Sequence, residues 1–135
     1  MTRTTVGFAL ACALAGGPAF AHHSPASLGT ARITQSVVAG GTTLQPGTYE
    51  IRDTGEHAKP LPGQAPDSQA MVEFVANGMV VARDVAEVMS GREVVGTSGS
   101  SAGLRVQMLK GGEFLRISKE QGGERYLIHL PVATR

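Results

Sequence analysis

The chain has one cysteine among its 135 residues and no tryptophan. With a single thiol, Cys12, no internal disulfide can form, so the fold must rest on an ordinary apolar core. Aromatic residues make up only 4% of the chain, which leaves aliphatic side chains to fill that core. An excess of either charge is missing too, since 12 Lys and Arg face 11 Asp and Glu and are scattered along the sequence. Nucleic-acid binding needs a basic stripe to displace counterions, and a peripheral membrane anchor needs a polybasic or amphipathic segment. Neither is present. Long hydrophobic runs are confined to one place, Val6 to Gly17. It is shorter than the ~20 apolar residues that a membrane span requires.

That run follows Arg3 and precedes Pro18-Ala19-Phe20-Ala21. A positive start, a short apolar segment and a small-x-small site are the parts of a secretory signal peptide. Cleavage after Ala21 is expected, leaving residues 22–135 as a single β-rich domain in the periplasm or outside the cell. Cys12 leaves with the signal. Because Ala9 occupies the place where a lipobox needs an aliphatic residue, no lipid anchor is expected.

What is abundant points to strands: 18 glycines, many β-branched residues and turn dipeptides at regular intervals. Taking Gly111-Gly112 as a two-residue hairpin loop pairs Met108 with Leu115, Gln107 with Arg116 and Val106 with Ile117. Taking Gly122-Gly123 the same way pairs Glu120 with Arg125, Ile117 with Ile128 and Leu115 with Leu130. One register therefore gathers Leu104, Val106, Met108, Leu115, Ile117, Tyr126, Ile128 and Leu130 on a common face. A one-residue slip would reverse every one of them. Asn77-Gly78 predicts another hairpin, pairing Phe74 with Val81 and Val72 with Arg83, with Val80 to Met89 a strand bulged near Arg83-Asp84. Thr48 to Thr54 alternates Tyr49 and Ile51 against Glu50 and Arg52, as a half-buried strand does. Thr30 to Val38 is the expected first strand. Gly55 to Gln69 holds Pro60, Pro62 and Pro66 and reads as a loop, as does the Gly/Ser-rich stretch from Gly96 to Gly103. The fold class is all-β: about seven antiparallel strands in a sandwich or small barrel.

Gly41-Thr42-Thr43-Leu44-Gln45-Pro46-Gly47-Thr48-Tyr49-Glu50-Ile51 resembles the turn-then-strand signature of transthyretin-like and carboxypeptidase-regulatory-like modules. It is also similar to a signature in small exported bacterial proteins of uncharacterised function. Locally, Pro46 fixes φ at the turn, Gly47 is expected in the left-handed conformation, and Tyr49 is the first side chain sent into the core. The resemblance implies a β-sandwich module and carries no ligand residues with it, since such folds host many unrelated roles.

Chemistry has few candidates. Cleavage would expose the α-amine of His22 beside its own imidazole, with His23 next, and such an amine–imidazole chelate favours Cu(II). This resembles the amino-terminal histidine sites of exported copper-resistance proteins and copper-dependent polysaccharide oxygenases. A further histidine is needed in space, from His23, His57 or His129. His129 falls opposite Arg116, a poor neighbour for a metal, so the candidate set is His22, His23 and His57. Met108 is expected in the core and Met79 beside a turn, as packing residues. Gly99-Ser100-Ser101-Ala102-Gly103 matches G-x-S-x-G, but the hydrolase nucleophile requires a strand-to-helix elbow that a small β domain lacks. Acidic residues alternate outward, and no carboxylate pair can be read from spacing. The sequence thus predicts a non-enzymatic periplasmic or secreted binding or structural module whose ligand is a protein or small molecule. A copper-binding protein using His22 is the second reading. The third is an assembly protein whose residues Ser24 to Val38 add a strand to a neighbour's sheet edge, giving a homo-oligomer.

Overall fold

The computed structural model describes residues 24–90 and 103–134. Among them lie nine strands and no helix: β1 (Ala26–Ile33), β2 (Val37–Ala39), β3 (Thr42–Leu44), β4 (Gly47–His57), β5 (Gln69–Ala76), β6 (Met79–Ser90), β7 (Arg105–Met108), β8 (Phe114–Gln121) and β9 (Glu124–Pro131). Seven of them form one antiparallel sheet in the order β1-β4-β5-β6-β9-β8-β7, and the sheet curls until β1 lies beside β7 and β8. Of the two architectures expected, the chain adopts the barrel, almost closed. A barrel this narrow is filled by side chains and holds no channel. Ile51, Val72, Phe74 and Leu130 are wholly buried inside it.

The C-terminal meander has the register that the glycine pairs dictate: Met108 faces Leu115, Gln107 faces Arg116, Ile117 faces Ile128, and Glu120 faces Arg125. Both pairs of glycines take positive φ. Gly122-Gly123 is the expected two-residue turn, but the Gly112 amide donates to the Leu109 carbonyl at 3.0 Å and the Leu109 amide to the Phe114 carbonyl at 2.9 Å, so the other turn spans four residues, Lys110 to Glu113, in the same register. Met108 departs from expectation. It shares the inward face with Leu115, yet it is 38% exposed, because β7 is the last strand of the sheet and, among the described residues, no strand is bonded to its far edge.

The Asn77-Gly78 hairpin also forms, with Asn77 at φ 51° and Gly78 at φ 75°. Its register follows expectation for Ala76–Met79 and Val75–Val80, then shifts by one, so that Phe74 faces Ala82 and Val72 faces Asp84. The bulge is at Val81, two residues before the expected place. Its cause is packing: an unbroken register would aim Val81 at Phe74, whereas the shift brings Ala82 inward opposite that bulky ring and leaves Val81 outside, 39% exposed.

The expected strand from Thr30 to Val38 is two strands, broken at residues 34–36. β1 stays on the barrel, and β2 turns away to pair with β3 in a small hairpin. β6 and β9 pair only over Glu87–Ser90 and Leu127–Glu124, so the barrel wall splits beyond Glu87. The β2–β3 hairpin packs against both strands at that split. Val37 bridges to Val132, the Ala133 amide donates to the Ser36 carbonyl at 2.8 Å, and Val37, Ala39 and Leu44 are buried. The left-handed residues of this segment are Gly40 and Gly41, at φ 52° and 84°, and not Gly47, whose φ is not positive. Gly47 needs no left-handed turn because it already belongs to β4. Tyr49 is buried as expected, and its hydroxyl donates to the Gln45 carbonyl at 2.7 Å, pinning the entry to β4. The proline loop is shorter than expected, since β4 runs on to His57 and β5 begins at Gln69.

Candidate functional site

Strand direction identifies the most distinctive part of the molecule. Every pairing in the seven-stranded sheet is antiparallel, so directions alternate around the wall. With an odd number of strands, the first and last run the same way. β1 and β7 therefore cannot close the barrel as an antiparallel pair, and among the described residues neither has a strand bonded to its outer edge. The two edges meet through side chains instead. A methyl group placed on Gly29 would lie 3.3 Å from Leu104 Cβ, and only glycine suits that position's φ of 132°.

The inward face at this seam is incompletely covered on the β7 side, whereas Leu28, Ala31 and Ile33 of β1 are buried. Leu115 and Ile117 on β8 are 3% and 1% exposed, while their β7 neighbours Met108 and Val106 are exposed and half-buried. The outward face is basic. Alternation along the strands turns Arg32 on β1, Arg105 on β7 and Arg116 on β8 outward. Among the described residues none of the three enters an ion pair, and Arg116 donates only to the neutral Gln107 side chain at 3.4 Å. The other described arginines are occupied: Arg52 with Glu50 at 2.8 Å, Arg83 with the buried Glu73 at 3.6 Å, and Arg125 with Glu120. The hydrogen bond from Arg52 holds the Glu50 carboxyl below its ordinary range.

One end of the barrel carries a second polar arrangement. Tyr126 on β9 reaches across the interior to β4, and its hydroxyl donates to Asp53 Oδ2 at 3.0 Å, with Glu124 Oε2 at 3.4 Å. Burial, and then the Asp53 carboxylate, push the Tyr126 hydroxyl well above its usual pKa. Asp53 faces inward here, against the expectation that all acidic residues alternate outward. This carboxylate–hydroxyl–carboxylate group joins residues far apart in sequence, so spacing could not reveal it. It acts as a tie between opposite walls.

The metal candidates separate. His22 and His23 lie outside the described residues. His57 sits exposed at the end of β4, and His129 is exposed on β9 opposite Arg116, as the register predicted. Among the described residues no group of three or more His, Cys, Asp or Glu could hold a metal ion, and no helix is long and apolar enough to cross a membrane. Ser100 and Ser101 of the G-x-S-x-G match are also outside the described residues. Comparison of the chain with protein-family models, curated proteins and solved structures finds no match.

Proposed function

We propose that the chain is an exported binding module that takes an extended segment of a protein partner at the β1–β7 seam. One observation carries this reading: the barrel is a single strand short of antiparallel closure, and among the described residues the facing edges of β1 and β7, which lie side by side, carry no bonded strand. An incoming strand running opposite to both would satisfy amides and carbonyls on each side, which is how strand addition gains its affinity. It would also cover Met108 and Val106. Backbone pairing asks for no catalytic group.

Photo-activatable side chains placed at Thr30 on β1 and Gln107 on β7, in cells making the protein, test the reading. Both positions are exposed, as is Thr43 on β3, which serves as the control. A discrete adduct from Thr30 and Gln107 but not from Thr43 is expected. No adduct, or equal labelling at all three positions, would overturn the proposal.

A further inference from the structure

We infer that the segment completing the barrel is acidic, with carboxylates at alternate positions facing outward and small apolar residues facing the core. The inference rests on the seam's taking a strand and adds the chemistry of that strand. Along a strand, successive side chains point to opposite faces, so a segment lying between β1 and β7 sends every second residue outward. Its outward residues would stand beside Arg32 on one side and Arg105 on the other, with Arg116 one strand further on. The other described arginines of the wall already have acidic partners: Arg52 has Glu50, Arg83 has Glu73 and Arg125 has Glu120. An acidic segment is the occupant that supplies the missing partners, because opposite charges on neighbouring strands attract and like charges repel.

The inward half of the pattern follows from the core. Gly29 and Ala31 on β1 offer little side-chain bulk, while Val106 and Met108 on β7 are apolar and incompletely covered. A β-branched residue at each inward position would fill that strip. Direction is fixed as well. The segment runs antiparallel to β1, whose eight residues set the useful length. Entry requires β1 and β7 to part by about 5 Å, one strand spacing, since Leu104 Cβ, which moves only with its own backbone, sits against Gly29.

Three blocked, fluorescently labelled octapeptides serve as probes: alternating valine and glutamate, alternating valine and threonine, and alternating valine and lysine. Each is titrated into the purified chain at low salt, and amide exchange is read for β1 and β7. The glutamate peptide should bind about tenfold more tightly than the threonine peptide, the sum expected of a few exposed ion pairs. Added salt should erase that margin, and the lysine peptide should be the weakest. Protection should appear at β1 and β7 amides. The triple variant Arg32→Gln, Arg105→Gln, Arg116→Gln should bind the glutamate and threonine peptides alike. Equal binding of those two by the unaltered chain overturns the acidic preference and leaves strand addition standing. If no peptide protects β1 or β7, both fail. Edges already protected in a concentration-dependent dimer would make a second copy the occupant and overturn the inference.

Discussion

Gly40 shows how much of this fold can rest on a missing side chain. A methyl group there would meet the Arg83 carbonyl oxygen at 1.8 Å, and the residue's φ is 52°. Gly41, next to it at φ 84°, has open space around the same position. Gly41→Ala should therefore cost only the left-handed backbone penalty, about 1–2 kcal/mol. Gly40→Ala adds a clash that pushes the wedge hairpin off β6, and should cost about 1–3 kcal/mol more. Urea unfolding of the two variants checks this; equal losses would mean that the hairpin is not seated against Arg83. Tyr126 allows a test by pH. Its hydroxyl titrates higher in the folded chain than in the unfolded one, so its contribution is complete below the unfolded value of ~10 and declines as pH rises beyond it. Stability of the unaltered protein should fall above about pH 10 more steeply than that of Tyr126→Phe. At neutral pH the same variant should lose about 1 kcal/mol for the lost hydrogen bond. Parallel alkaline profiles would show that the tie to Asp53 contributes nothing.

At the scale of elements, the bulge in β6 sets packing against pattern. Ala82 is 6% exposed beside Phe74, and Val81 is 39% exposed. Ala82→Leu should overfill the core and cost about 1–3 kcal/mol, while Val81→Thr should stay within about 0.5 kcal/mol. The reverse order in thermal unfolding would restore the unbulged register. The meander makes the matching case on β8: Leu115→Ala should cost about 2–5 kcal/mol, and Arg116→Ala well under that. These two elements also mark what could be read from residues alone. Gly-Gly turns fix their own register, because one turn type and the in-out alternation leave a single consistent pairing from Val106 to Leu130. A bulge leaves no such local mark: it depends on Phe74 needing a small neighbour on the next strand. The break after Ile33 was hidden for the same reason, since β2 departs to fill a split between β6 and β9 that no local pattern announces. The candidate site was less legible still. Arg105 and Arg116 share the hairpin already legible in the sequence, but Arg32 is far from both, and only the order of strands brings it to the same seam.

On the scale of the whole molecule, an open seam poses a hazard that the same arginines answer. Two free edges on one small barrel invite pairing between copies, and proteins commonly blunt such edges with charge. Two seams approaching each other would bring Arg32, Arg105 and Arg116 of one copy against the same three of another. None of these has an acidic partner among the described residues, so the encounter is repulsive at low ionic strength. The protein should therefore sediment as a monomer at low salt, with little dependence on concentration. Replacing all three arginines by serine should make association rise with concentration. Salt near 1 M, where the Debye length is about 3 Å, should push the unaltered protein the same way without any mutation. Amide exchange on the associated variant should then protect β1 and β7 rather than the exposed Met79–Val81 run of β6. Protection at β6 instead would place the sticky edge there and leave the seam arginines without a gatekeeping role. A serine variant that stays monomeric at high concentration would show that seam geometry, and not charge, keeps copies apart.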